Sequence, residues 1–576
     1  MQTSSPPEMT ILDRLRFCIN AYDLAELIDV EYSYLTYILY GMRDSVRYHE
    51  FPVKKKDGTY RKILSPHPKL KRVQSSLSNM LYACREAAFA HEISVKASSH
   101  GFEKNRSPFT NAAKHVGRRY VFNLDLKDFF PSIHIGRIIG VLTKDRAYQV
   151  NGNVAQMIAQ LSCHKGLLPQ GAPTSPILAN MVASVMDRRL RKLAKEHRCS
   201  YSRYADDLTF STNQRVFPKA IADFELNQQV KVGDVLAKII TRSGFQVHDG
   251  KVRMCLSQSK QSVTGLTVNV GVSTDRRYRK ETRAMCHSLF KTGKYHISRD
   301  GDTEKLDVNN LKPLDGRLSY ISKVSEQDRE RKSKNAQLFF EEQKRLSNPT
   351  SYERLFARFL LFKSFANPEH PVVVGEGITD FMYLRSASRF VELFPKSLIS
   401  NDRVNLSFYN PTERNQKYLK VGNGAGEFAD FMVRLTREFD AFEHNFTRKP
   451  IIFIADCDQA LKNCQKRLRS KQIRDYLPEK VVTNHCYRYG RYAYLITLNH
   501  HTQNAIIEDY FSSRLRSVMR GGKSFELSDE PTSETYSKKT FARYVVPNYI
   551  LRDDVTSFSS IWASIEAAVF DFNQLS

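Results

Sequence analysis

Apolar residues recur at helical spacing from residue 9 to residue 45, with Leu12, Leu15, Leu24 and Leu27 on one side, and predict a helical N-terminal region. A basic segment follows, Lys54-Lys55-Lys56-Asp57-Gly58-Thr59-Tyr60-Arg61-Lys62, whose Asp-Gly pair predicts a hairpin tip. Between 116 and 280, strand-like apolar runs alternate with long amphipathic helices such as 174–197. From Lys323 to Thr350 the chain is rich in Glu, Lys, Arg and Gln, the pattern of an exposed helix or linker. An apolar helix from Tyr352 to Phe365 then meets Asn367-Pro368-Glu369-His370-Pro371, a breaker cluster that marks a domain boundary. Beyond it, short apolar runs at Pro371–Val374, Val404–Phe408, Ile451–Ala455 and Tyr492–Leu498 are separated by helical stretches. That alternation predicts a small α/β domain with a mainly parallel sheet.

Composition narrows the class. A chain of 576 residues exceeds one ordinary core, and 41% hydrophobic with 26% charged residues is a globular balance. No apolar run reaches membrane-span length, and the start, MQTSSPPEMTILDRL, has no signal-peptide pattern. The nine cysteines include no C-x-x-C pair, which argues against a zinc knuckle or disulfide framework and fits a reducing cytoplasm. The net charge of +27 points to a polyanionic partner, because phosphates neutralised by Lys and Arg release counterions.

Three carboxylates are candidates for chemistry on that partner. Asp125 ends the strand-like run Tyr120-Val121-Phe122-Asn123-Leu124, and Asp206 and Asp207 sit in Ser202-Arg203-Tyr204-Ala205-Asp206-Asp207-Leu208-Thr209-Phe210, which reads as two strands and a tight turn. Carboxylates gathered this way repel one another, and Mg²⁺, a hard cation, relieves the repulsion. A pair of such ions can activate a 3′-hydroxyl and stabilise departing pyrophosphate.

Leu124-Asp125-Leu126-Lys127-Asp128-Phe129-Phe130, Leu168-Pro169-Gln170-Gly171-Ala172-Pro173-Thr174-Ser175-Pro176 and Tyr204-Ala205-Asp206-Asp207 resemble reverse-transcriptase motifs A, B and C in order. Gly244-Phe245 with Lys251, and Val263-Thr264-Gly265-Leu266, resemble the motifs that follow, so the likeness covers about residues 10 to 325. It implies Asp125 and Asp206 as principal metal ligands, Asp207 in support, and the Leu126 backbone at the metal. The Leu126, Lys127 and Asp128 backbone would line the triphosphate. Phe130 would be the steric gate against a 2′-hydroxyl, and Gln170 and Gly171 would contact the nucleotide. Arg61 and Lys55 would hold its phosphates, and Lys251 would act as an acid on pyrophosphate. Nothing resembles an RNase H domain.

Asn111-Ala112-Ala113-Lys114-His115 and Val263-Thr264-Gly265 resemble the N-A-x-x-H and V-T-G signatures of retron reverse transcriptases. By that resemblance the partners are a cognate noncoding RNA, deoxynucleotide triphosphates and msDNA, a branched RNA–DNA product primed from a guanosine 2′-hydroxyl. Asn111, His115, Val263, Thr264 and Gly265 would then serve RNA binding. Arg276, Arg277, Arg279, Lys280 and Arg283, with Tyr278 interleaved, make a basic cluster suited to an RNA stem in a helical thumb.

The C-terminal part carries a second constellation. Val372-Val373-Val374-Gly375-Glu376-Gly377-Ile378-Thr379-Asp380 reads as strand, glycine turn and helix start, and Ile451-Ile452-Phe453-Ile454-Ala455-Asp456-Cys457-Asp458 as a buried strand ending in D-x-D. In a parallel sheet both acidic groups fall at strand C-termini, where α/β sites form. The order resembles a Toprim domain, with Ile506-Ile507-Glu508-Asp509 and Lys538 similar to the later acid and lysine of its OLD-like nuclease branch. Glu376, Asp456 and Asp458 would hold a separate Mg²⁺, and Lys538 would stabilise transition-state charge. Gln459 and Ala460 stand where topoisomerases carry a third aspartate, and Gly422-Asn423-Gly424-Ala425-Gly426 matches the glycine loop loosely.

The expected architecture is therefore multidomain, α+β and α/β: a right-hand polymerase with fingers and palm (1–275) and thumb (276–324), a helical linker (325–370) and a Toprim domain (371–576). Fusion of the two halves resembles a retron subclass acting in antiviral defence in toxin–antitoxin fashion, the nuclease being the effector and msDNA its restraint. A mobile-element reverse transcriptase, and a C-terminal half that binds without cleaving, remain alternatives. The nuclease target (DNA, RNA or tRNA) and homo-oligomer formation stay open.

Overall fold

A computed structural model of the chain describes residues 9–54, 58–90, 98–223, 230–299, 302–334, 348–421, 425–439, 442, 449–456, 480–483, 485–489, 492–498, 505–528 and 531–575. Lys55, Asp57, Asp458, Gly422–Gly424 and linker residues 335–347 lie outside them. Two compact units form: residues 1–278 with 323–337, and residues 279–322 with 338–576. Among the described residues no helix is long and apolar enough to cross a membrane.

In the first unit, strands β1 (Tyr48–Lys54) and β2 (Tyr60–Pro66) pair antiparallel, with Lys54 opposite Tyr60 at the tip end. Helix α1 (Pro68–Ala90) follows, burying Leu70, Val73, Leu77 and Leu81 at helical spacing. A short helix, α2 (Pro108–Ala113), starts with Ser107 and Thr110 in a reciprocal capping box. The palm sheet joins β3 (Tyr120–Asp125), β4 (Ser200–Tyr204), β5 (Asp207–Thr212) and β6 (Arg253–Leu256) in the order β4-β5-β3-β6, all antiparallel. Its inner face (Phe122, Leu124, Leu208, Phe210) packs into a core shared with α3 (Ser175–Glu196). Strands β7 (Ser262–Val263) and β8 (Leu266–Thr267) form a small hairpin.

In the second unit, the segment expected as a helical thumb departs from that expectation. Helix α4 (Arg276–Thr292) is followed by an antiparallel hairpin, β9 (Lys294–Arg299) with β10 (Asp302–Asp307), before helix α5 (Lys312–Lys334). The reason is a period of two: Tyr295 and Ile297 point inward while Lys294 and His296 face out. Phe290, Tyr295, Leu314 and Leu318 share one continuous core with α6 (Ser351–Phe365) and the strands beyond it. Asp315 ties that segment down, accepting from Lys363 at 2.6 Å and from Arg414 at 2.8 Å.

The C-terminal sheet contains β11 (Val372–Gly375), β12 (Ser407–Phe408), β13 (Ile451–Ala455), β14 (Lys480–Thr483), β15 (Cys486–Tyr489) and β16 (Ala493–Thr497), in the order β12-β11-β13-β16-β15-β14. Four strands, β12, β11, β13 and β16, are parallel, and the β15 and β14 edge is antiparallel. Strands β11, β13 and β16 are buried throughout, as central parallel strands are.

Candidate active site

The palm sheet brings the first three carboxylates together. Asp125, last in β3, pairs in register with Asp207, first in β5, while Tyr204 of β4 also faces Asp207. The two-residue turn between β4 and β5 puts Ala205 at φ +54°, a left-handed conformation of the kind hairpin turns need, and aims Asp206 beside Asp125. Desolvation and the Asp125 charge raise the Asp206 pKa, and Arg61 and Lys251 oppose that rise. Desolvation, then Asp206 and Asp125, push Asp207 up to about 7, although its surface is partly open to solvent.

This donor set fits a divalent cation chemically, since its acids are held close enough to resist joint ionisation. The side chains are not drawn onto a common point: among the described residues no three His, Cys, Asp or Glu groups have metal-cluster geometry. Lys251 Nζ instead donates to Asp125 Oδ1 at 3.0 Å, its ammonium compensating the acid as a bound cation would.

The turn is braced from beneath. Arg203, with no exposed surface, donates to Asp187 at 2.8 and 2.9 Å, to the Ala205 carbonyl at 2.9 Å and to Asn180 Oδ1 at 3.2 Å. A guanidinium suits this place because it spreads several donors in a rigid fork. The sequence pattern missed Arg203 because an arginine in a strand reads as a solvated residue.

Around the carboxylates, Gln170 and Gly171 lie against β2, with Leu64 N donating to the Gln170 carbonyl at 2.9 Å. Gly171 has φ +126°, and a Cβ there would stand 2.6 Å from the Leu64 carbonyl, so this close approach requires glycine. Arg61 is exposed on β2, and Phe130 is half-buried beside Phe129. Lys55 lies outside the described residues. Of the Leu126, Lys127 and Asp128 backbone expected along a triphosphate, two amides have partners within the palm. Leu126 N donates to the Asp206 carbonyl at 3.0 Å and Lys127 N to the Gln246 carbonyl at 2.8 Å, so both are engaged within the palm. Leu126's side chain is buried.

Asn111 and His115 are also corrected: both are fully buried and offer RNA no surface. His115 bridges Ser211 Oγ and Ser202 Oγ at 2.7 Å each, and Ser202 Oγ donates to Asn111 Oδ1 at 2.6 Å. Burial, with Lys114 and Arg118 nearby, lowers His115 to about 3, so it is neutral. The pair therefore fastens α2 beneath the catalytic hairpin. Val263 is buried too, in a small core with Phe109, Ala112, Val121, Leu266, Val268, Val272 and Val324. Thr264 (φ +47°) and Gly265 (φ +78°) make the β7–β8 turn, and Thr264 Oγ1 donates to the Pro108 carbonyl at 3.1 Å. Of the group, Gly265 is exposed. Arg276 and Arg277 are exposed, whereas Arg279 lies half-buried over Tyr352, 5.9 Å from the ring centre.

In the second unit, β11 and β13 run side by side with Gly375 opposite Ile454, so Glu376 and Asp456 leave adjacent C-terminal strand ends. Desolvation, then Asp380, Glu508 and Glu376, push Asp456 up to about 8. Asp380 is held near 6 by desolvation, against the Gly377 N–H that donates to it at 2.9 Å. Lys538 Nζ pairs with Glu508 Oε1 at 3.3 Å, while the buried Glu508 Oε2 has no hydrogen-bond partner. Asp380 was missed as a site residue; its signal was the acid three residues into a helix start, which reads as a cap. Asp458 lies outside the described residues.

A strained palm turn carrying paired acids, facing a third on the neighbouring strand, defines a nucleotidyl-transfer polymerase site. Residues 53–269 match the family of reverse transcriptases (RNA-dependent DNA polymerases). The retron Mx65 reverse transcriptase of Myxococcus xanthus is 32% identical over 326 residues, covering 54% of this chain and 69% of that one. The retron Ec86 reverse transcriptase of Escherichia coli is 32% identical over 277 residues, covering 47% and 78%. The chain belongs to the retron reverse transcriptase family. Among solved structures, a Candida tropicalis telomerase overlaps 40% of this chain and 54% of its own at 15% identity, with a TM-score of 0.27, too low to carry an argument. Reverse transcriptases use Mg²⁺ at a two-metal site, which suits the acids described.

Proposed function

We propose that the protein copies its own noncoding RNA into branched msDNA, and that its C-terminal unit is a Toprim-type nuclease restrained by that product. The observation that carries the first half is the Tyr204-Ala205-Asp206-Asp207 turn set in register against Asp125. At initiation the attacking group is a guanosine 2′-hydroxyl of the RNA, and in every later step the 3′-hydroxyl of the growing strand. The hydroxyl oxygen bonds to the α-phosphorus of a deoxynucleotide triphosphate, the bond to the β-phosphate oxygen breaks, pyrophosphate leaves, and the hydroxyl proton passes to solvent. Bound Mg²⁺ supplies Lewis acidity and charge neutralisation. Asp125 and Asp206 hold it, with Asp207 and the Leu126 carbonyl in support. Arg61 grips the triphosphate, Gln170 and Gly171 orient the nucleotide, Phe130 excludes a 2′-hydroxyl from the incoming sugar, and Lys251 donates a proton to pyrophosphate. The exposed Arg276 and Arg277 fit an RNA stem by charge.

The test is purification from bacteria carrying the native locus, followed by extraction of bound nucleic acid. A discrete DNA that shifts on debranching and is lost with Asp206→Ala supports the reading; an expressed locus that yields none refutes msDNA synthesis.

The nuclease reading draws support from the group of Glu376, Asp380, Asp456 and Lys538, each half-buried, around the buried Glu508. An orphaned Glu508 oxygen and an Asp456 held near 8 suit a site completed by a cation, with Glu376 and Asp456 as ligands and Lys538 facing developing charge. Its role would be antiphage defence, with phage damage to msDNA lifting the restraint. Full protection by Glu376→Gln would refute catalysis in favour of a binding module. Equal cleavage by msDNA-bound and msDNA-stripped protein would refute restraint.

A further inference from the structure

A strained aromatic stands beside Phe130. Phe102 has φ +58°, a left-handed conformation that bulky residues rarely adopt, and its side chain is still 37% exposed. Neither backbone preference nor burial accounts for a phenylalanine there, and residues held in such conformations cluster at functional sites. Its ring meets Phe130, centroids 5.9 Å apart and planes tilted by 52°, while Phe129 meets Phe130 edge-on at 5.4 Å.

The backbone beneath Phe102 is fixed from several directions. Its carbonyl accepts from the Tyr82 hydroxyl at 3.1 Å and from Asn180 Nδ2 at 3.3 Å. The Gly101 carbonyl accepts from Asn180 Nδ2 at 2.8 Å and from Ser99 Oγ at 3.0 Å. A Cβ on Gly101 would lie 2.6 Å from the Ala205 amide nitrogen, so this loop presses on the catalytic turn itself. Asn180 belongs to α3, the helix that follows the Gln170-Gly171 loop. The strained loop is thus pinned to the two elements that frame the incoming nucleotide.

We propose that Phe102 is a specificity-determining positioning residue that buttresses the Phe130 ring and thereby keeps ribonucleotides out. This rests on the reading of Phe130 as the sugar gate. A gate discriminates only as well as it is stiff, because a hydroxyl is admitted by a displacement of one atom's width. Phe129 supports the Phe130 ring by its edge, and Phe102 supplies a second ring at a different angle. Phe102 touches no substrate atom and acts through Phe130.

The test is single-nucleotide insertion by the full chain on a primed RNA template, comparing kcat/KM for a deoxynucleotide and its ribonucleotide. Phe102→Ala should raise relative ribonucleotide use about tenfold, with deoxynucleotide kcat within about threefold of wild type. Phe102→Tyr keeps the ring and should keep the wild-type ratio. Phe102→Gly relieves the left-handed backbone while removing the ring, so it should match wild type in thermal stability and still lose discrimination. If Phe130→Ala admits ribonucleotides and Phe102→Gly does not, the buttress is refuted and the gate stands. If Phe130→Ala leaves the ratio unchanged, the gate reading fails and the buttress falls with it.

Discussion

Removing the Asp187 carboxylate should injure the polymerase in two separable ways. In Asp187→Leu the Arg203 guanidinium, which has no exposed surface, loses its anionic partner and stays charged in the core. Such an uncompensated charge costs about 3–5 kcal/mol, a large share of the roughly 5–15 kcal/mol that holds a domain folded. Adding Arg203→Met removes both charges and should restore part of that stability, because the desolvation penalty leaves with the pair while the Tyr201 hydroxyl, which donates to Asp187 at 2.8 Å, loses its acceptor. The double variant nevertheless has no donor for the Ala205 carbonyl, which Arg203 holds at 2.9 Å one residue before Asp206. A metal ligand displaced by about 1 Å can lower turnover about a hundredfold. The expected outcome is a double variant more stable than Asp187→Leu alone, with turnover reduced about a hundredfold. The single tryptophan, Trp562, lies in the C-terminal unit, so its fluorescence does not report on this region. Hydrogen exchange across Ser200–Thr212 reads the palm directly, and single-nucleotide insertion reads turnover. A double variant as active as wild type would refute the anchor. A cost below about 1 kcal/mol for Asp187→Leu would refute the buried-pair argument.

Lys251→Met removes the ammonium 3.0 Å from Asp125, so a titration of activity against Mg²⁺ should shift to lower concentration while maximal turnover falls at least about tenfold; unchanged turnover would reject the acid role. Asp207 is held at about 7 against an ordinary 3.8, so without metal its native form keeps a proton that the unfolded chain has lost. Its contribution to stability therefore falls as pH rises from about 4 to about 7, and stabilisation by Mg²⁺ should be greater at pH 8 than at pH 6 in palm hydrogen exchange. Asp456→Asn removes a like charge from a crowded group, so by Trp562 fluorescence the C-terminal unit should be at least as stable as wild type at pH 9, with DNA synthesis unchanged; a clear loss of stability would contradict the repulsion. Gly375→Ala would put a Cβ 2.6 Å from Asp380 Cβ and should destabilise the same unit by about 1–3 kcal/mol, unless the helix start moves freely.

Much of this architecture was legible because it is periodic. The β4–β5 turn follows from apolar alternation on either side of two acids, and the parallel C-terminal strands follow from unbroken apolar runs such as Ile451–Ala455. What sequence could not supply was partnership across distance. Arg203 and Asp187 lie on different elements, and nothing local marks them as a buried pair. Asn111 and His115 form a motif that suggested contact with RNA, yet their hydrogen bonds close on Ser202 and Ser211 inside the palm. Phe102 was invisible for another reason: a left-handed φ is imposed by its surroundings and leaves no trace in residue type. Residues 276–324 were expected as a helical thumb, and nothing local told which core their apolar positions would join.

The small core of Phe109, Ala112, Val121, Val263, Leu266, Val268, Val272 and Val324 gathers α2, the palm strand β3, the 263–272 stretch and α5. Its consequence is genealogical. A change of volume in one of them leaves a void or a clash that only another can absorb, so the four are bound to diverge in concert. Segments exchanged between relatives to graft a new RNA preference onto this palm should work when all four travel together, and fail when α2 or the Thr264–Gly265 turn is moved alone.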